Sequence, residues 1–178
     1  MTGPERPIHY ENPFATPADQ RTPIRRLRGR LAAPVTIWTA QGDDGPRGLT
    51  VSSLLVADGE PGFVVGLLND TTDLWDALQA SGRFVVHVAG ASDAILADRF
   101  AGQRPSPGGL FEGVTVAASE WGPVIEQFAT RAYCSLESAD QTGYQQLIGG
   151  RVEKLELGDE SPLLHYRGSY RCLESPPD

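Results

Sequence analysis

Apolar and polar positions along the chain change period several times, and the changes divide it into elements. Thr22-Pro23 has the form of an N-cap followed by proline at the first helical position, so a short helix is predicted over Pro23 to Leu31. Val35-Thr36-Ile37-Trp38-Thr39 is β-branched and aromatic and reads as a strand. After the turn residues 41–46, a second strand is expected from Arg47 to Val56, interrupted by small hydroxyl residues. Gly59 to Gly62 is another turn. Phe63-Val64-Val65-Gly66-Leu67-Leu68 is continuously apolar and reads as a largely buried strand. Short turns between these three strands predict antiparallel pairing.

From Thr72 the period becomes helical. Leu74, Ala77 and Leu78 recur on one face of a helix over Asp73 to Ala80, with Thr72 as cap and Gly82 as its stop. Phe84 to Val88 is a strand, and Ser92 is the expected cap of a helix over Asp93 to Phe100. Gly102 to Gly113 is a Gly/Pro-rich loop. Strands are expected over 114–118, 129–137, 146–157 and 163–173. Many short strands with a few helices outside them predict a mainly β fold, a β-barrel with flanking helices. Residues 1–21 are polar and rich in proline and read as an extended arm, leaving 22–178 as one domain.

Composition narrows the possibilities. The 178 residues carry 23 acidic and 15 basic side chains, a formal charge of −8. Nucleic acid and anionic membrane surfaces both call for basic surface, so neither is an expected partner. The helix over 23–31 is a local exception with Arg25, Arg26, Arg28 and Arg30, read as a solvated face, an anion contact or a subunit interface. No run of apolar residues approaches the ~20 a membrane helix needs, and no basic-then-apolar leader opens the chain, so a cytoplasmic location is expected. Cys134 and Cys172 are isolated and form neither a disulfide framework nor a zinc motif. His9, His87 and His165 lack metal-ligand spacing, and His87 reads as a satisfied strand residue.

Two segments carry candidate chemistry. Gly48-Leu49-Thr50-Val51-Ser52-Ser53 combines a glycine, which allows close backbone approach, with three hydroxyls that donate to phosphate or carbonyl oxygens. It reads either as a ligand edge or as an ordinary half-exposed strand. Asn69-Asp70-Thr71-Thr72 follows a buried strand and precedes a helix, where backbone N–H groups and hydroxyls suit a phosphate. The alternative is plain capping by Thr72. No GxGxxG, P-loop or GxSxG signature is present, so a nucleotide would be held by another device and no catalytic side chain is assigned.

In order and spacing, these residues resemble the flavin reductase-like family of FMN-binding split β-barrels over roughly residues 24 to 173. Arg47-Gly48-Leu49-Thr50-Val51-Ser52-Ser53 is similar to the family's G-[LMF]-T-x-[NS]-S signature, and Leu68-Asn69-Asp70-Thr71-Thr72 to its phosphate-holding segment. Phe84 to Val88 resembles its F-x-V-N-V strand, and Phe100-Ala101-Gly102 the start of its F-A/S-G loop. Gly149-Gly150-Arg151-Val152 and Pro162 to Tyr170, with Tyr166 among them, resemble its C-terminal motifs. The resemblance implies an antiparallel Greek-key split barrel that binds FMN, with FAD as the alternative. It also implies hydride transfer from NAD(P)H, a homodimer with flavin near the interface, and service as the reductase partner of a monooxygenase. Where the family commonly has G-D-H, this chain has Gly143-Tyr144-Gln145, so Tyr144 and Gln145 are its candidate substrate contacts. Gln145 hydrogen-bonds but does not titrate, and Tyr144 can stack on a ring. Flavin binding without nicotinamide turnover, or a haem or deazaflavin in the same barrel, are the competing readings.

Overall fold

A computed structural model describes residues 22–173; the arm assigned to 1–21 lies outside the described residues. The elements run α1 (Pro23–Arg28), β1 (Ala33–Pro34), β2 (Thr36–Gly42), β3 (Gly45–Val51), β4 (Leu55–Ala57), β5 (Phe63–Leu68), α2 (Asp73–Ser81) and β6 (Arg83–Val88). A 3-10 turn (Ala91–Asp93) leads into α3 (Ala94–Phe100). The remainder is β7 (Val116–Ser119), β8 (Gly122–Ile125), β9 (Arg131–Thr142), β10 (Gln145–Glu156), β11 (Leu163–Tyr166) and β12 (Ser169–Cys172). Seven strands form one antiparallel sheet in the order β3-β2-β6-β9-β10-β5-β4. A β7–β8 hairpin and a β1-β11-β12 sheet complete the strands among the described residues. The fold is mainly β with a large antiparallel sheet; β3 and β4 are that sheet's two edges.

The expected strand from Arg47 to Val56 is two strands, and the reason is local. Thr36 Oγ1 donates to the Val51 carbonyl at 2.6 Å, ending the pairing with β2. Two residues later the Ser53 hydroxyl is bonded to Leu67 of β5. The chain therefore leaves one edge of the sheet at Val51 and joins the opposite edge at Leu55. The sheet curls enough to permit this, because the Trp38 ring of β2 lies over Gly66 of β5, where a Cβ would stand 2.8 Å from the ring. Trp38 also stacks on Phe84 with centroids 4.9 Å apart. Leu74, Trp75, Ala77 and Leu78 of α2 are buried in the same cluster.

Other boundaries also shift. Ser92 is not the cap of the second helix: Asp93 Oδ2 accepts from the Gly90 N–H at 2.7 Å, and the α-helix begins at Ala94. The strand expected over 163–173 is a hairpin turning at Arg167 and Gly168, both with positive φ. The hairpin partner β8 had no alternating pattern to announce it. No helix among the described residues is long and apolar enough to cross a membrane.

His87 is fully buried in β6. Its Nδ1 lies 3.0 Å from the Ile37 carbonyl, and its Nε2 accepts from the Ile125 N–H at 3.0 Å. The ring is thus neutral, with the proton on Nδ1. Burial pushes its pKa down from 6.5 to about 4, against the raising effect of the Ile37 bond. The unfolded chain protonates this histidine below its ordinary pKa, while the folded chain resists. Its contribution is therefore complete above pH 6.5 and is lost as pH falls toward 4. A depression of this size corresponds to about 3 kcal/mol. Urea midpoints should fall across that window for the native chain and fall less for His87→Gln; equal slopes would reject the assignment.

Candidate functional site

Three of the predicted segments converge at one end of β5. Ser53 Oγ accepts from the Leu67 N–H at 2.9 Å and lies 3.2 Å from the Leu67 carbonyl. That clamp ties the Ser52–Ser53 link to the last turn of chain before Asn69. On the other side of β5, Gln146 of β10 is paired with Leu68. That pair is the last of the register: Gln145 and Tyr144 precede it on one strand, and Asn69 and Asp70 follow it on the other. The β9–β10 hairpin thus projects past β5 and ends in the tight turn at Gly143-Tyr144. Gly143 has φ +62°, the left-handed value that a two-residue hairpin turn requires at its first position, and Tyr144 is 96% exposed.

The Asn69–Thr72 loop is internally bonded. Asn69 Oδ1 accepts from both the Thr71 N–H at 3.2 Å and the Thr71 hydroxyl at 3.1 Å. Thr72 Oγ1 donates to the Asn69 carbonyl at 2.8 Å and accepts from the Trp75 N–H at 3.3 Å. Thr72 is therefore the cap of α2, as its sequence position predicts. The Thr71 pair of donors is met by a side-chain oxygen of the loop itself. An oxygen of a phosphate has the same acceptor chemistry, so this donor set fits an anion that replaces the amide. Asn69, Asp70 and Thr71 are exposed, so the loop is open to a ligand. Asp73 faces elsewhere: with Asp43, Asp44, Asp76 and Arg47 it lines a groove of about 250 Å³ beside α2.

The remaining predicted residues divide by strand alternation. Leu49 packs against the cluster around Trp38, and Val51 and Leu68 are buried within it, so all three offer a ligand only backbone. Gly48 and Thr50 face the other way. A Cβ at Gly48 would stand 2.5 Å from the Phe100 ring, so this glycine makes room for α3. Thr50 Oγ1 donates to the Ala97 carbonyl of α3 at 2.6 Å. Phe100 is 1% exposed and meets Phe111 edge-on at 5.0 Å. The hydroxyl and glycine pattern of this strand thus serves helix packing at Gly48 and Thr50, and the link to β5 at Ser53. Tyr166 belongs to the three-stranded sheet, with the Arg167 guanidinium 5.3 Å from its ring centre.

Sequence reading did not find a cavity of about 360 Å³ lined by Asp93, Gln127, Phe128 and Glu160 among others. Its residues come from three distant segments with no shared motif, and it contains none of the predicted site residues. Burial pushes the Cys134 thiol up to about 12, so that sulfur is inert. Both ring nitrogens of His87 are engaged, so it is not an axial haem ligand. No group of three or more potential metal ligands occurs among the described residues.

The flavin reductase like domain model matches residues 28–174. The chain belongs to this family. The reductase subunit of a flavin-dependent monooxygenase from Mycobacterium tuberculosis is 31% identical over 160 residues, covering 88% of this chain and 83% of that protein. An NADH-dependent FMN reductase from Streptomyces nodosus subsp. asukaensis is 31% identical over 160 residues, with 88% and 86% covered. Among solved structures, nitrilotriacetate monooxygenase component B from Mycobacterium thermoresistibile superposes with a TM-score of 0.78 at 28% identity, covering 90% of this chain and 92% of that one.

The Ser53 clamp is the testable part of this geometry. Ser53→Ala leaves the Leu67 N–H without its partner and should lower stability by about 1–2 kcal/mol. The measurement is a urea midpoint at unchanged slope. No loss would mean that the link is not held by this hydroxyl.

Proposed function

We propose that this flavin reductase family member binds FMN where Ser52–Ser53, Asn69–Thr72 and the Gly143–Gln145 turn meet. We further propose that it passes hydride from NAD(P)H to that flavin as the reductase partner of a monooxygenase. The observation that carries the reading is the convergence of three segments, distant in sequence, at one end of β5. In this reading the chain is one flavin-binding domain over 22–178, its sheet is the split barrel of the family, and it acts as a homodimer. In the same reading the chain works in the cytoplasm, where NAD(P)H is supplied.

Bound flavin supplies the hydride-accepting ring, and the chain supplies position and polarity. Thr71, whose N–H and hydroxyl are met by Asn69 Oδ1, would hold the terminal phosphate with those two donors. Backbone of the Gly48–Ser53 segment would bind the ring and ribityl chain. Tyr144 would supply a stacking surface for the nicotinamide, and Gln145 a hydrogen bond to it. A single terminal phosphate suits this short-hydroxyl cradle, which favours FMN over FAD. Phe100 stays in the core and shapes the strand from behind, and Tyr166 takes no part within one copy.

One specific feature favours a second reading, flavin binding without nicotinamide turnover. The family resemblance implies an acid and a histidine at the position of Tyr144-Gln145, and neither the tyrosine nor the glutamine supplies an imidazole. Anaerobic addition of NADH and of NADPH to the FMN complex separates the two. Bleaching of the flavin absorbance supports the reductase, and a persistent spectrum with both donors supports the binder. Failure to bind FMN at all defeats both.

Thr71→Val removes one hydroxyl from the phosphate and should weaken FMN binding about tenfold or more, since a hydrogen bond to a charged group contributes roughly 1.5–3 kcal/mol. Fluorescence titration reads this directly, and unchanged affinity would misplace the cradle. Because no histidine lies in the three segments, turnover should vary little between about pH 6 and 8; a steep profile across that range would place a titrating group in the site.

A further inference from the structure

The cavity of about 360 Å³ opens at the end of β6 and shares no residue with the three segments assigned to the flavin. Its size lies near the lower end of the roughly 300–1,000 Å³ that small-molecule sites occupy. Its walls are tied together. The Ala91 N–H donates to the Ser161 carbonyl at 2.9 Å, and Gly90 is bridged to Pro162. Val88, Ala91 and Phe128 give the cavity apolar surface, and Asp93, Gln127 and Glu160 give it polar surface.

Asp93 is 9% exposed, and each of its oxygens accepts from a neutral donor. Oδ2 takes the Gly90 N–H and Oδ1 the Gln127 amide, both at 2.7 Å. Those bonds fix the carboxylate without neutralising it, and each oxygen keeps a lone pair. Glu160 Oε1 accepts from the Ala129 N–H at 3.2 Å. Neither carboxylate has an ion pair among the described residues. Arg131, near Phe128 in the chain, is engaged by the carbonyls of Glu126 and Phe128 and by Glu156. Buried charges are ordinarily paired, so a carboxylate held this way beside open space lacks its cation. Gly90 keeps that space. Its φ of −85° and ψ of 172° are extended backbone open to any residue, so no turn requires glycine there. A Cβ at 90 would stand 3.4 Å from Asp93 Oδ2 and 3.4 Å from the Glu160 Cβ, in the gap between them.

We propose that this cavity binds a small organic cation, a protonated primary amine or a guanidinium. Its charge lies between Asp93 and Glu160, and its carbon body rests on Val88 and Phe128. The N–H donors of such a head match the lone pairs that remain on the two carboxylates. The chain's charge of −8 draws a cation toward it from a distance. An anion would face two carboxylates. A divalent metal such as calcium takes about six or more oxygens, and no group of three or more potential metal ligands occurs among the described residues.

Benzylamine and its neutral isostere benzyl alcohol test this on the full chain, read by amide chemical shifts. Benzylamine should shift the resonances of 88–93, 127–128 and 160–161 saturably. Benzyl alcohol should bind about tenfold more weakly, the loss of a hydrogen bond between charged groups. Asp93→Asn should weaken benzylamine binding about tenfold, and Glu160→Gln, at the exposed rim, about threefold. Gly90→Val keeps both charges but fills the gap, and should abolish binding. Far-UV circular dichroism checks the fold of each variant. If Asp93→Asn or Gly90→Val fails to fold, Glu160→Gln decides. Benzylamine that leaves these resonances unmoved overturns the proposal, as does benzyl alcohol bound equally well. So do folded variants that bind benzylamine as the native chain does, or shifts that sodium chloride reproduces at the same ionic strength.

Discussion

Trp38 is the contact on which the arrangement of the sheet depends. A flat seven-stranded sheet would hold β3 and β4 at opposite ends, some six strand spacings of about 4.8 Å apart. Yet only Ser52, Ser53 and Leu54 join them. Three residues cannot span that distance, so the sheet has to curl. The indole fills the interior of the curl, flat against Phe84 and over Gly66, and a side chain at 66 would collide with it. The indole N–H is also satisfied, donating to Thr36 Oγ1 at 3.1 Å, while that hydroxyl donates to Val51. One aromatic side chain thus sets the curvature and helps end β3 where the chain must cross. The Ser53 clamp on Leu67 then fixes the crossing beside the loop that begins at Asn69.

Local grammar was readable where one element decides its own shape. Thr22-Pro23, the six apolar residues of β5, and the Thr72 to Gly82 helix with its cap and left-handed stop appear as predicted. Long-range partners were not. Gly48 and Thr50 carry the same residue types as a ligand edge, but the structure uses them against Phe100 and Ala97, forty or more positions away. Strand alternation distinguishes the two uses only once the facing element is known. Likewise Gln146 and Leu68 have no sequence signal joining them; their pairing is a consequence of the β5–β10 register.

Net charge constrains how such a chain can hold an anion. Beside α2, four carboxylates surround the single Arg47, and a phosphate placed there would be repelled. The Asn69–Thr72 loop lies at the same helix end but offers only neutral donors. Amides and hydroxyls aimed at one point stabilise an anion through fixed dipoles, without cations that neighbouring aspartates would pair with and neutralise. Asn69 completes this logic. Its amide oxygen accepts the donors that a ligand oxygen would take, so the loop is not left with unsatisfied polar groups between ligands. The exchange of one acceptor for another costs little hydrogen-bonding energy, and the added charge makes the replacement the stronger partner. A loop with arginines in place of these hydroxyls would bind the anion more tightly but would be drawn to the Asp43, Asp44, Asp73 and Asp76 groove. A cradle of neutral donors, as proposed for Thr71, is therefore the arrangement compatible with the acidic surface around it.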